Sequence, residues 1–126
     1  MDKVLVDTNV LIDYSRGRDA SLGRLLEKQK QIRIELFVNP IVVAEFLTDK
    51  NCQKSEILDK ANDFLRLFSF VSIGKKESIL AGELLRTSVV DFIGDAFIGA
   101  TCLTNELSLY TKNQKHFKKV KGLNLV

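Results

Sequence analysis

A chain of 126 residues fits one domain, residues 1–126, and is long enough to bury a core without disulfide or metal staples. Hydrophobic residues make up 45% and charged residues 28%, an ordinary globular balance, and no run of 18 apolar residues is present to cross a membrane. Two distant cysteines, Cys52 and Cys102, and a single histidine exclude a Cys/His zinc site of usual spacing and read as reduced, core-packed thiols.

The N-terminal residues lack the long apolar region of a signal peptide, so the cytosol is the expected location. Lys3–Val6 is a short Val/Leu run that predicts a buried strand. Apolar spacing predicts a helix over Asn9–Ser15 and a surface helix over Ser21–Gln31 that buries Leu22, Leu25 and Leu26. Ile34–Val38 reads as the second strand. Asn39-Pro40 marks the next helix start: Asn caps free amides, and Pro has no N–H to leave unpaired at the first position. That helix is expected to reach about Asp49. Another helix is predicted over Lys54–Leu67, then a strand over Phe70–Ile73 and a helix over Lys76–Thr87. The segment from Phe92 to Leu103 is apolar nearly all round and predicts a buried helix over Asp95–Asn105. Leu107–Thr111 reads as a strand, with a helical turn near His116 and a final edge strand over Leu123–Val126.

Alternating strands and helices predict an α/β fold: a mostly parallel sheet flanked by helices on both faces. In such sheets functional groups gather at the carboxyl ends of strands. Asp7 ends the first strand, followed by polar Thr8 and Asn9; it could cap the helix or take part in chemistry. Glu45 interrupts the apolar run Ile41–Leu47, and could equally supply the helix with a wet face. Asp95 lies near the start of a buried helix, where dipole and free amides should hold it ionised. Asp91, four residues earlier, reads as a cap or support residue before it reads as a ligand. Thr111, Lys112, Asn113 and His116 follow a strand end, and Lys112, Lys115, Lys118, Lys119 and Lys121 concentrate charge there. A solvated face explains such a run as well as a polyanion does.

Carboxylates brought together raise one another's pKa unless a cation neutralises them. An all-oxygen donor set points to Mg²⁺ or Mn²⁺, and a metal among acids suits phosphodiester hydrolysis.

Four segments in order resemble the PIN-domain family: Asp7-Thr8-Asn9-Val10-Leu11-Ile12-Asp13, Val43-Ala44-Glu45-Phe46, Gly94-Asp95-Ala96-Phe97-Ile98-Gly99-Ala100-Thr101, and Leu109 to Phe117 with the tail Gly122-Leu123. The resemblance spans nearly the whole chain, and the short length is similar to VapC-type toxins. It implies a Mg²⁺- or Mn²⁺-dependent endoribonuclease, a homodimer, and a small antitoxin that blocks the active site. It makes Asp7, Glu45 and Asp95 the conserved acids, with Asp7 and Asp95 as metal ligands. Thr111 would position the first acid or the water, with Thr8, Asn9 and His116 in support. Asn113 and His116 stand where many members carry Asp or Glu, so Asn113 would bind metal through water or orient the nucleophile. Beside such a site Lys112, Lys115, Lys118 and Lys119 would hold the RNA backbone.

Three other readings compete. A P-loop would need Lys at Ala100, and a dehalogenase-type phosphatase would need Asp at Asn9. A non-enzymatic PIN-like module that binds RNA or protein has little need for clustered acids.

Overall fold

The computed structural model describes all residues, 1–126. Four strands, β1 (Asp2–Val6), β2 (Ile34–Val38), β3 (Ser69–Phe70) and β4 (Ser108–Tyr110), form one sheet in the order β3-β2-β1-β4. Every pairing is parallel, with Val4 opposite both Leu36 and Ser108. The helices are α1 (Thr8–Ser15), α2 (Ser21–Lys30), α3 (Pro40–Phe46), α4 (Ser55–Leu65), α5 (Lys75–Arg86) and α6 (Ile93–Asn105). None is long and apolar enough to cross a membrane.

Consecutive strand residues point to opposite sheet faces. Val4, Leu5 and Val6 are nonetheless all buried, so helices cover both sides of β1. α6 contributes Ala96, Ile98, Gly99, Ala100 and Cys102 to the same core. Cys102 is enclosed there, and burial pushes its thiol up to about 12. Cys52 packs against the edge of the core, only partly buried, and lines a surface groove.

Several elements end or begin elsewhere than the apolar pattern predicts. α3 stops at Phe46 instead of continuing to Asp49. Thr48 Oγ1 donates back to Glu45 O, and Asp49 accepts from Asn51 N, so side chains take over where the ladder ends. The strand expected over Phe70–Ile73 is the two-residue β3, one residue earlier. Its neighbour β2 ends at Val38, whose carbonyl accepts Val71 N; beyond it Asn39-Pro40 turns into a helix and leaves nothing to pair with. The expected last strand is a single bridge between Leu109 and Leu125.

The chain adds β2 and β3 on one side of β1, then returns to place β4 on the other. The sheet order therefore reverses between β1 and β4, and a crevice opens at the carboxyl ends of those two strands.

Candidate active site

Asp7 follows β1 at this crevice and is only 5% exposed. Of the two roles open to it in the sequence, the structure shows the cap directly. Its Oδ1 accepts Thr8 N at 2.8 Å, which makes it the N-cap of α1. Its Oδ2 accepts Thr111 Oγ1 at 2.7 Å, across 104 residues of chain. Thr111 follows β4, whose Tyr110 carbonyl accepts Asp7 N, so backbone pairing and a side-chain bond fix the same junction.

Glu45 comes from α3. Thr8 Oγ1 donates to its Oε1 at 2.6 Å, so the residue after Asp7 orients the second acid. Asn39 sets the helix itself: wholly buried, it accepts Val42 N on Oδ1 and donates from Nδ2 to Thr101 Oγ1 at 3.0 Å. That contact ties the start of α3 to the middle of α6.

Asp95 lies in the first turn of α6, which begins at Ile93, two residues before the expected start. His116 Nδ1 lies 3.1 Å from Asp95 Oδ2, and its ring packs against Phe92. Asp91 corrects the cap reading. It is exposed, it precedes the N-cap Phe92, and no side chain caps α6.

Asp7, Thr8, Asn9, Glu45, Asp95 and Asn113 line one cleft of about 420 Å³. Ile12 and Thr48 join them, and an apolar Ile12 carries no sign of a site in its own chemistry. Burial pushes the Asp7 carboxyl above its ordinary value, aided by Asp95 and opposed by the hydrogen bonds from Thr111 and Thr8. Burial likewise raises Asp95, opposed by His116 and aided by Glu45. Loss of solvent is the larger influence on Asp95 and acts against the stabilisation expected from the helix terminus. Within the cleft, burial and the neighbouring acids outweigh the opposing hydrogen bonds and His116.

The donors facing it are carboxylate, amide and hydroxyl oxygens, the chemistry of a hard cation. No three His, Cys, Asp or Glu side chains converge closely enough to chelate an ion alone. Mg²⁺ does not need that, because it keeps several waters and takes one or two carboxylates from protein. On donor chemistry the residues fit such an ion.

A second cavity of about 600 Å³ adjoins the cleft and shares Ile12, Glu45 and Thr48 with it. Tyr14, Phe46, Ile57, Ala61 and Phe64 make it largely apolar, and Cys52 and Asp49 stand in its wall.

The lysines divide into two groups. Lys115, Lys118, Lys119 and Lys121 are exposed and form no ion pair. Lys112 differs from them: Asp13 and Asp19 both engage its ammonium.

Comparison with known proteins places this geometry. The PIN-domain family profile matches residues 4–123. A ribonuclease VapC1 of Methanocaldococcus jannaschii is 31% identical over 98% of this chain and 85% of its own. A toxin–antitoxin complex from Klebsiella pneumoniae is similar at 25% identity, with a TM-score of 0.73 over 98% of this chain and 95% of that one. DNA-bound VapBC from Salmonella typhimurium shares the fold at 17% identity, with a TM-score of 0.83 over 100% of this chain and 98% of that one.

Proposed function

Because the chain belongs to the PIN-domain family and is of the VapC type, we propose that it is a metal-dependent endoribonuclease, the toxin of a toxin–antitoxin pair. The observation that carries this reading is the single cleft at the β1–β4 reversal, lined by Asp7, Glu45 and Asp95. Two of these carboxyls are raised by burial and by neighbouring acids, an arrangement that costs free energy and suits a cation-assisted site.

Asp7 and Asp95 would hold Mg²⁺ or Mn²⁺ largely through water, and the ion would supply phosphate polarisation and water activation. The chain's own groups do the rest. Thr111 fixes the Asp7 carboxylate by donating to Oδ2, leaving its remaining lone pairs toward the cleft. Thr8 holds Glu45 through one oxygen. The other oxygen lies near the start of α6, 3.5 Å from where a Cβ on Gly94 would sit; in this reading it accepts a proton from the attacking water. Asn113 orients that water, with Asn9 beside it. His116 steadies Asp95. Lys115, Lys118 and Lys119 hold the RNA backbone, a contact that positions the substrate without reading its sequence.

The apolar groove that runs into the cleft suits an apolar segment of a small antitoxin, whose cationic end would meet the acids. Exposed Ile79 on α5 and Phe92 and Ile93 at the start of α6 supply uncovered apolar surface for a homodimer.

Cleavage of total cellular RNA with Mg²⁺ or Mn²⁺ tests the activity, with Asp7→Asn, Asp95→Asn and an EDTA control. Discrete fragments from the wild type, lost in EDTA and reduced at least about 100-fold in either variant, are expected. RNA that is bound in EDTA but never cut under any condition would replace this reading with a non-enzymatic binding module.

A further inference from the structure

From Tyr110, the last residue of β4, to Asn113, successive side chains face alternate ways. Thr111 and Asn113 face the cleft, Thr111 through Asp7 and Asn113 in the lining. Asn113 N also donates to Thr111 Oγ1 at 3.0 Å, which links the two. Tyr110 and Lys112 turn the other way, toward the connection between α1 and α2. Tyr110 Oη bonds Ser21 Oγ at 2.7 Å. Lys112 Nζ lies 2.6 Å from Asp13 Oδ2 and 2.7 Å from Asp19 Oδ2.

Both carboxylates are themselves anchored. Asp13 belongs to α1, the helix that Asp7 caps, and its carbonyl accepts Arg18 N and Asp19 N. Asp19 Oδ1 accepts Ser21 N at 2.8 Å, at the start of α2. Arg18 lies 3.8 Å from the other Asp13 oxygen, Oδ1. Two cations and two anions therefore balance, and the Lys112 ammonium keeps no free charge for a phosphate. We propose that Lys112 is a positioning residue: its clasp on Asp13 and Asp19 holds Thr111 and Asn113 in the cleft, and it makes no contact with RNA.

This rests on the nuclease reading for its kinetic consequence but not for its structural one. A partly exposed ion pair adds little to global stability, so the effect should fall on placement and leave the melting temperature nearly unchanged. Small misplacement of reacting groups is expensive in rate.

The test compares Lys112→Met, Lys112→Arg and Asp13→Asn/Asp19→Asn with wild type in the full chain. It reads steady-state cleavage with Mg²⁺, RNA affinity in EDTA against salt, and amide exchange at Asn113 without RNA. Lys112→Met is expected to lower kcat on the order of 10- to 100-fold with KM unchanged. The salt dependence of RNA affinity should hold, and Asn113 N should exchange severalfold faster. The double acid variant should reproduce this, and Lys112→Arg should restore most of the rate. A weaker RNA affinity in Lys112→Met, with the salt slope reduced by roughly 0.7, would make Lys112 a phosphate contact and overturn the proposal. Unchanged exchange at Asn113, or a rate loss that follows a fall in Tm and is not rescued by Arg, would overturn it too. A wild type that cuts no RNA refutes the nuclease reading instead, while affinity and amide exchange still decide the clasp.

Discussion

Asp7 carries two demands that pull apart. As an N-cap and hydrogen-bond acceptor it is well placed as a carboxylate; as a buried group beside Asp95 it is poorly placed. Burial wins, so the folded protein keeps this proton to a higher pH than the unfolded chain does. From the ordinary value of 3.8 upward, stability therefore falls as Asp7 ionises and levels off once it is fully charged. Asp7→Asn keeps a capping oxygen without the charge. In EDTA at neutral pH it should stabilise the protein on the order of 1 kcal/mol, or roughly 3–6 °C in Tm, with the gain vanishing below the ordinary carboxylate range. Thermal melts of both proteins from acid to neutral pH check this, and a destabilised variant would show that the bonds from Thr8 and Thr111 outweigh burial. At this scale the sequence was informative because Asp7, Glu45 and Asp95 each interrupt an apolar stretch. It was uninformative for Lys112 and Asp91. A lysine among lysines gives no sign that two acids a hundred residues away will claim it, and an acid before a helix gives no sign that it lies one residue too early to cap.

Among the elements, α3 depends most on one side chain. Asn39 caps it and joins it to α6, so the two helices that carry Glu45 and Asp95 are fixed to each other through one buried amide. Asn39→Ala should cost roughly 2–4 kcal/mol, the loss of a cap plus a buried hydrogen bond. Asn39→Ser should recover part of that by capping without reaching Thr101. Urea midpoints at constant m-value measure both, and equal losses for Ser and Ala would mean that the Thr101 bond carries the whole effect. The start of α3 could be read from Asn39-Pro40 because capping is local chemistry. Its end could not, since Thr48 and Asp49 stop it by side-chain bonds that compete with an intact apolar pattern. β3 was misjudged for a related reason: an edge strand lasts only as long as its neighbour, which is information held in β2.

At the scale of the whole molecule, a net charge of +3 is modest, but its distribution is uneven. Lys115, Lys118 and Lys119 are exposed close to His116, which touches Asp95, and no acid pairs with them. Replacing all three with Met should reduce the salt slope of RNA binding by roughly 2, at about 0.7 per lost contact on a single strand. Titrations of a single-stranded RNA in EDTA at several salt concentrations measure it, and an unchanged slope would return these lysines to the role of a solvated surface. The parallel sheet and its flanking helices were legible as a class from the alternation of strand and helix patterns. The strand order was not, because nothing local says that β4 passes β2 and β3 to lie against β1.

That return of β4 has a consequence in time. Asp7 leaves the ribosome 104 residues before its partner Thr111. Until β4 has been synthesised and has found β1, the crevice has only one wall and Asp7 lacks the hydroxyl that fixes it. Long-range parallel pairing of this kind is slow to form, since a long loop must close before any contact repays it. A growing chain therefore carries its acids apart until β4 has emerged, and its cleft is assembled only after that strand has docked on β1.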